Sequence, residues 1–316
     1  MRWRFFVRRL AMLVATLLVS SFVIFSALYL APGNPIAVLS GGRSLPPEAV
    51  ATLEARYHLN DPFLTRYASW LGGVLHGDFG YSIAHRADVS TLIAARIGTT
   101  AALVLYASIL ILLLGIGLGI VSGLRRGAVD TGVLVVTAVS AAIPSFVAAI
   151  ALMLVFAVKL GWFPTLGDGD GFADTVWHLT LPAFALAISS VGIVARVTRA
   201  AVREESGREH VQTATSRGIP RGALVWRHVL RNAAIPITTI SGITVASLIA
   251  VSAVVERAFA LNGLGAYLVA AAASKDFAVV QGISLVLVGA FVLVNVLVDV
   301  LYAVLDPRVQ LGSRAT

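Results

Sequence analysis

The sequence contains no cysteine, only two lysines and few charged residues of any kind. Charged residues make up 13% of its 316 positions, whereas soluble domains carry roughly 25%. The absence of cysteine excludes disulfides, thiolate metal ligands and cysteine nucleophiles. Neither Lys159 nor Lys275 follows a glycine-rich phosphate-binding loop, so we do not expect this chain to hydrolyse ATP. Together with a hydrophobic content of 58%, the scarcity of charge indicates a protein of the lipid bilayer.

Six uncharged, apolar stretches lie between the charged residues, and each has at least 21 residues. A helix of roughly 20 apolar residues crosses the hydrocarbon core of a membrane. Because lipid offers the backbone no hydrogen-bond partner, these stretches are predicted to be helices. They are Leu10–Leu30, Ile97–Leu124, Thr131–Val158, Thr175–Ala195, Asn232–Val255 and Phe277–Val298.

Three of these stretches contain a proline: Pro144, Pro182 and Pro236. In a membrane bundle, such prolines are expected to mark kinks or helix starts. A seventh uncharged stretch, Ala258–Ser274, is shorter and interrupted by glycine. It is predicted to be a loop with a short re-entrant or surface helix.

The distribution of arginine predicts the orientation in the membrane, because basic residues are enriched in cytoplasmic loops. Four arginines precede the first stretch, Arg125 and Arg126 follow the second, and eight run from Arg196 to Arg231. Six helices with both termini in the cytoplasm place all of these inside, whereas seven would put the C-terminus outside. The predicted fold is therefore an all-α integral membrane protein with six transmembrane helices.

The segment between the first two helices, residues 31–96, is predicted to lie outside the cytoplasm and to be helical. A helix-start proline and early acidic residues favour one helix over Pro47–Leu59. A second is expected from Pro62, since apolar residues then recur on one helical face. They are Phe63, Tyr67, Trp70, Leu71 and Val74. Their aromatic character favours a position at the membrane interface or on the mouth of the bundle, as a lid or a contact surface.

The segment between helices 4 and 5, residues 196–235, is long for a connection in a small membrane protein. Arg208–Ser216 is predicted to be a short helix, Gly218 a sharp turn, and Pro220 the start of another helix. Ala214 and Gly218 are small enough for a partner to approach the backbone closely. The inside-positive rule explains the arginines, including Arg199, but it does not explain this helix–glycine–helix pattern.

The stretch Glu209–Gly218, followed by Trp226–Pro236, resembles the coupling loop of ATP-binding-cassette importer permeases. The resemblance is strongest to the first membrane subunit of the dipeptide and oligopeptide branch, which also includes nickel permeases. Further matching segments follow in chain order: Pro32–Pro35, His76–Ser82, Glu256–Gly265 and Leu305–Arg308. The general importer motif begins Glu-Ala-Ala where this chain has Gln212-Thr-Ala214, and it usually ends Leu-Pro where this chain has Arg231-Asn232.

The resemblance implies a type I importer permease fold in a bacterial inner membrane. It divides the chain into a tail with helix 1 (1–30), an outer helical loop (31–96), a core (97–305) with the coupling loop 196–235, and a cytoplasmic tail (306–316). It implies that a coupling surface docks on an ATPase through Glu209, His210, Gln212, Thr213, Ala214, Arg217, Gly218 and Ile219. It also suggests outer contacts with a binding protein or a gate at Trp70, Glu256 and Arg257.

The implied partners are a second, homologous permease subunit, two ATPase subunits or domains and an extracytoplasmic substrate-binding protein. The substrate would be a di- or oligopeptide, and no nucleic acid is expected. ATP and magnesium would bind the ATPases, and this chain would hold no cofactor. A permease of the same type for nickel chelates, haem, glutathione or a sugar remains an alternative, and a secondary transporter is a further one.

Three polar positions elsewhere were weighed as functional candidates. Asp299 is an acid within the sixth apolar stretch, and intramembrane acids are often functional. Its position near the predicted cytoplasmic end favours a local structural pairing. His76 and His85 share the outer loop, but no acid or thiol stands at ligand spacing, so no metal site is predicted.

Overall fold

The structure of the protein, a computed structural model, describes residues 2–30, 46, 48, 61–82 and 84–305. The described residues form helices and one small hairpin of the antiparallel strands β1 (Tyr81–Ser82) and β2 (Ala87–Asp88). The α-helices with described bounds are α1 (Arg2–Leu30), α2 (Phe63–Leu75), α3 (Val89–Leu110), α4 (Gly117–Leu124), α5 (Ala128–Ala142), α6 (Ser145–Leu152), α7 (Phe172–Ser206), α8 (Glu209–Ser216), α9 (Arg221–Leu224), α10 (Arg231–Ala258), α11 (Leu264–Ala273) and α12 (Phe277–Leu305). Wider π-helical turns continue α3, α6 and α9 over Ile111–Ile116, Met153–Lys159 and Val225–Leu230. The helix predicted over Pro47–Leu59 and the tail 306–316 lie outside the described residues.

Five helical stretches of the described residues are long and apolar enough to cross a membrane. They are Val7–Ala27, Val89–Leu124, Phe172–Ser206, Arg221–Ala258 and Phe277–Val298. A sixth candidate is the pair Ala128–Ala142 and Ser145–Lys159, which is bent by 100°. The predicted all-α membrane architecture is confirmed, and the count reaches six when the bent pair forms one span.

Pro144 causes the break within this pair. The preceding Ile143 is extended, with ψ 117°, as steric conflict with the proline ring requires. Pro144 itself has ψ 144° and immediately precedes α6, so it acts as the predicted helix start. Pro182 and Pro236 instead lie inside the unbroken helices α7 and α10.

The chain folds as two compact units, Met1–Thr99 with Asn262–Val292, and Thr100–Leu261 with Leu293–Thr316. In the second unit, α7 is the central helix, and three glycines spaced four residues apart lie against it. Gly115, Gly119 and Gly123 face Val194, Thr198 and Val202 of α7. A Cβ at Gly119 would lie only 2.6 Å from the carbonyl oxygen of Ala195. Small residues at this spacing let membrane helices approach closely, and van der Waals packing then holds them together.

The C-terminal part of α7 is also held by ion pairs to Asp130, which lies in the first turn of α5. Arg199 donates from Nε and Nη2 to the two carboxylate oxygens at 2.6 and 2.8 Å, and Arg203 donates at 2.6 Å. Ser122 Oγ of α4 donates at 2.5 Å to the same carboxylate, which is buried. Arg199 therefore does more than determine topology, because it ties α7 to α5.

The helix α7 is longer than the charge pattern predicts. It has 35 residues and continues through Arg196 and Arg199 to Ser206. Each of these arginines finds a polar partner on α5: Arg196 Nη2 donates to the carbonyl oxygen of Thr137 at 3.2 Å. These partners allow the helix to extend past its apolar stretch. Only residues 207–220, which include the short α8, therefore lie between α7 and the next spanning stretch, Arg221–Ala258.

In the first unit, α2 packs on α1 through aromatic rings. The ring centroids of Phe22 and Phe25 lie 5.4–5.8 Å from those of Phe63 and Tyr67, and that of Phe25 also lies 5.5 Å from that of Trp70. Phe63, Tyr67 and Trp70 belong to the apolar face predicted from the sequence. The helix thus begins after Pro62, as predicted, and its aromatic face packs half-buried against α1.

The strand hairpin of the first unit is attached to the turn between α11 and α12. Ser82 Oγ donates to the buried carboxylate of Asp276 at 2.5 Å. Tyr267 of α11 lies within hydrogen-bond distance, 3.0 Å, of His85 Nδ1. Burial raises the pKa of the Tyr267 hydroxyl above its usual value. Helix α11 is the short helix predicted within Ala258–Ser274.

Candidate functional site

The helix α8 lies between the ends of α7 and α10 and has one buried face. Val211 and Ala214, three residues apart, are 4% and 6% exposed. They belong to the inner surface of α8, and Val211 packs in an apolar cluster with residues of the neighbouring helices. The other members of this cluster are Ala201 and Val202 of α7, Val229 of the π-helical turn, and Ala233 and Ile237 of α10. The inner face therefore fixes α8 to this chain and leaves its polar face in solvent.

The C-terminus of α8 is closed by a Schellman turn. The N–H of Gly218 donates to the carbonyl of Thr215 at 3.0 Å, and the N–H of Ile219 donates to that of Ala214 at 3.3 Å. Gly218 has φ +76°, in the left-handed region that favours glycine. A Cβ at this position would meet no heavy atom of the described chain within 4 Å. Within this chain, backbone conformation, and not crowding, is thus what requires glycine at the predicted turn.

Most of the residues predicted to contact an ATPase lie together on the exposed side of this helix and turn. Those exposed to solvent are Glu209, His210, Gln212, Thr213, Arg217 and Gly218, and Ile219 is half-buried. Ala214 is different, because it faces the inner side and is only 6% exposed. Its small side chain accommodates packing within this chain. The approach of a partner to the backbone at Ala214 stays a prediction.

A cluster of polar side chains next to α8 was missed by the sequence reasoning. Glu205, in the last turn of α7, is only 7% exposed. Its carboxylate accepts a hydrogen bond from Asn232 Nδ2 at 3.3 Å and forms an ion pair with Arg208 Nε at 2.8 Å. His210 Nε2 lies 3.8 Å from the same carboxylate. Two adjacent acids within a run of eight arginines were the available signal.

Arg208 precedes α8 and interacts with both of these acids. Its Nη2 donates to the exposed Glu204 at 2.9 Å. The hydrogen bond that Arg208 donates to Glu204, and then the charge of Glu205, raise the pKa of Arg208 above its ordinary value. Gln212 Nε2 donates to the carbonyl of Gly207 at 3.1 Å, which adds a further link between α8 and the end of α7.

The three predicted outer contacts have different environments. Trp70 packs its ring on Phe25, at 5.5 Å between centroids. Glu256 is 0% exposed and accepts a hydrogen bond from Thr100 Oγ1 at 2.8 Å, so it is an interior group and not a surface contact in this structure. Arg257 is exposed. Arg257 is thus exposed, Trp70 half-buried and Glu256 buried, and contact of these residues with a binding protein or gate stays a prediction.

The remaining polar candidates do not form a chemical site. Among the residues that the structure describes, no group of three or more histidine or acidic side chains could hold a metal ion. His76 Nδ1 lies 2.8 Å from the carbonyl oxygen of Gly72, and His85 belongs to the hairpin contacts. Asp299 lies on α12, but its side chain is outside the described part.

Several apolar spans, with a polar helix exposed between two of them, define a multi-pass membrane protein. The chain belongs to the family of inner membrane components of binding-protein-dependent transport systems. The family model matches residues 115–311, and the model of the N-terminal part of such components matches residues 2–104. Nearly the whole chain is therefore covered by the two models, in the order expected of a permease.

Relatives that span the whole chain agree with this assignment. A relative from Brucella abortus (strain 2308), named for peptide transport, is 37% identical over 96% of this chain and 98% of its own. The oligopeptide transport system permease proteins AppB of Bacillus subtilis (strain 168) and OppB of Escherichia coli (strain K12) are each 34% identical over 97% of this chain and 99% of their own. These relatives are permease proteins and not ATPases.

The fold has also been seen in solved structures. An inward-facing structure of the MetNI methionine ABC transporter matches 68% of this chain and 96% of its own, with a TM-score of 0.55 and 16% identity. A structure of an amino acid ABC transporter with histidines matches 67% and 94%, with a TM-score of 0.53 and 16% identity. The arrangement of helices is thus that of ABC importer permeases.

Proposed function

We propose that this chain is one of two membrane subunits of an ATP-driven importer that carries di- and oligopeptides across the bacterial inner membrane. The observation that supports the class most directly is the exposed, internally anchored helix α8 between two spanning helices. The full-length relatives named for peptide and oligopeptide transport support the substrate. An extracytoplasmic protein would deliver the peptide, and partner ATPases would bind ATP and magnesium.

In this proposal α8 is the surface on which an ATPase acts. Its polar face, with Glu209, Gln212 and Thr213, would contact the ATPase, while Val211 is packed with α7 and α10. A displacement of α8 would then be passed to both membrane helices, because close-packed interiors transmit strain. ATP binding would favour one opening of the pathway through differential contacts in the two states.

The proposed orientation places both termini and α8 in the cytoplasm. It follows from the arginines and can be tested by single-cysteine labelling, because the chain has no cysteine of its own. The exposed positions Asp170, between α6 and α7, and Thr213, on α8, are suitable for Asp170→Cys and Thr213→Cys. An impermeant reagent added outside should label the first and not the second. Labelling of the second from outside would refute the orientation.

Reconstitution tests the function itself. The chain would be coexpressed with the permease, ATPase and binding-protein genes adjacent to its own, and the complex placed in liposomes. We expect uptake of labelled peptide only with ATP and with the binding protein present. Uptake of a nickel chelate, haem, glutathione or a sugar instead of peptide would reassign the substrate. Transport by this chain alone, without ATP, would refute the importer assignment.

A further inference from the structure

The buried carboxylate of Glu205 joins three helices that the proposed mechanism needs to move together. It lies in the last turn of α7, accepts a hydrogen bond from Asn232 of α10 at 3.3 Å, and pairs at 2.8 Å with Arg208, which precedes α8. His210 of α8 stands 3.8 Å from its second oxygen and 3.3 Å from Asn232. Glu205 and Asn232, which are 27 positions apart in sequence, are thereby connected.

The apolar contacts alone do not make this connection directional. Val211 and its apolar neighbours on α7 and α10 exclude water beneath α8, but hydrophobic contact is non-directional. Hydrogen bonds to a charged group have defined geometry and are about twice as strong as neutral ones. The carboxylate therefore fixes the angle at which α8 meets the two membrane helices.

Charge also favours this position for an acid. The first turn of α8 carries the positive end of the helix dipole, no side chain caps it, and the guanidinium of Arg208 at its N-cap adds a full positive charge. Exposure distinguishes Glu205 from its neighbour: the side chain of Glu204 is 71% exposed and that of Glu205 is 10% exposed, although both pair with Arg208. A surface pair contributes little, whereas a buried carboxylate with several partners restricts the conformation.

We propose that Glu205 is a positioning residue that makes α8, α7 and α10 move as one body, so that displacement of α8 becomes movement of the membrane helices. This inference rests on the proposed function. It assigns a role in coupling ATP hydrolysis to transport, distinct from ATPase docking by the exposed face of α8. Without Glu205, α8 would still dock and the ATPases would still turn over, but α8 would tilt on its apolar base without carrying both helices with it.

The test compares two adjacent acids. Glu205→Met keeps side-chain length and helix propensity and removes both acceptor oxygens, and Glu204→Met is the matched control at an exposed position. In the reconstituted complex we expect Glu205→Met to retain assembly and ATP hydrolysis, while solute transported per ATP falls about tenfold, the size expected for loss of a charged hydrogen bond. Glu204→Met should leave this ratio unchanged, and Glu205→Gln, which keeps one acceptor, should lie between.

A second variant keeps the test decisive if Glu205→Met fails to assemble. Asn232→Leu removes the hydrogen bond that Glu205 accepts from α10, together with the contact between Asn232 and His210, and Asn232 is exposed, so folding should persist. The two substitutions should be non-additive in a double-mutant cycle, because they break the same contact. Unchanged transport per ATP in every assembled Glu205 and Asn232 variant would overturn the proposal.

A structural readout separates this role from general stability. Spin labels on Ser216→Cys and Ser247→Cys, at exposed positions of α8 and α10 outside the predicted docking residues, would report the distance between the helices. We expect a narrow distribution in the otherwise unchanged complex with and without ATP, and a broad one with Glu205→Met. A distance distribution as narrow with Glu205→Met as without it would refute the proposal that Glu205 holds α8 and α10 together. A wild-type complex that shows no ATP-driven uptake would refute the proposed function instead, so the two failures are distinguishable.

Discussion

Substitutions at Gly218 give the sharpest test of why the turn after α8 requires glycine. The backbone there has φ +76°, and a Cβ would meet no heavy atom of the described chain within 4 Å. The cost of a side chain within this subunit is therefore conformational and not steric. Asn adopts the left-handed region several times more readily than most residues, Ala should cost about 1 kcal/mol, and a β-branched Val about 1–3 kcal/mol.

The expected order of stability is thus glycine, Gly218→Asn, Gly218→Ala and Gly218→Val. The relative thermal unfolding midpoints of the purified subunit complex would measure it, with Arg221→Ala, at an exposed residue of α9, as the control. The same three variants, assayed for ATP-driven uptake, test whether a docked ATPase also contacts the turn at Gly218. If only backbone conformation matters, Gly218→Asn should retain transport and Gly218→Val should lose most of it. Equal loss with all three would show that a docked ATPase approaches the backbone too closely for any side chain. A Gly218→Val complex as stable and as active as the wild type would refute the argument.

Three further predictions concern the packing of the membrane helices and the strand hairpin. Arg199→Ala should destabilise the protein by about 2 kcal/mol, because the buried carboxylate of Asp130 loses a bidentate partner. The control Arg126→Ala, in an exposed loop, should have little effect on the thermal unfolding midpoint. Equal midpoints for the two variants would contradict this prediction. Gly119→Ala should cost about 1–3 kcal/mol by overpacking between α4 and α7, and should lower the yield of folded protein in size-exclusion chromatography. Ser82→Ala removes a donor to a buried carboxylate and should raise hydrogen exchange in the hairpin about tenfold, whereas unchanged exchange would show that the strands do not depend on this bond.

Features that depend on local chain properties were predictable. The apolar stretches predicted the spanning helices, because in lipid the only partners for the backbone lie within the helix. The spacing of Phe63, Tyr67 and Trp70 predicted one face of α2, and Pro62 its start. Gly218 predicted a left-handed turn, since few other residues adopt positive φ. Each of these depends on residues within a few positions of one another.

The C-terminal end of α7 could be predicted only in part from the sequence. The end of α7 was placed at the last uncharged residue, because a charge usually marks the membrane surface. The helix continues, since Arg196 and Arg199 find polar partners on α5, 59 and 69 positions away in sequence. Nothing in the local sequence distinguishes an arginine with such a partner from one in solvent.

The role of each residue in the candidate site was decided by tertiary structure. Ala214 and Gly218 are both small, yet Ala214 is small to pack inside and Gly218 to turn the chain. Glu204 and Glu205 are adjacent and chemically identical, but the helical rotation of about 100° between them leaves one exposed and buries the other against α10. Sequence thus determined which elements form and where they turn, because those depend on local backbone energetics. The partners of each charge depend on which helices pack together, and only the folded chain decides that.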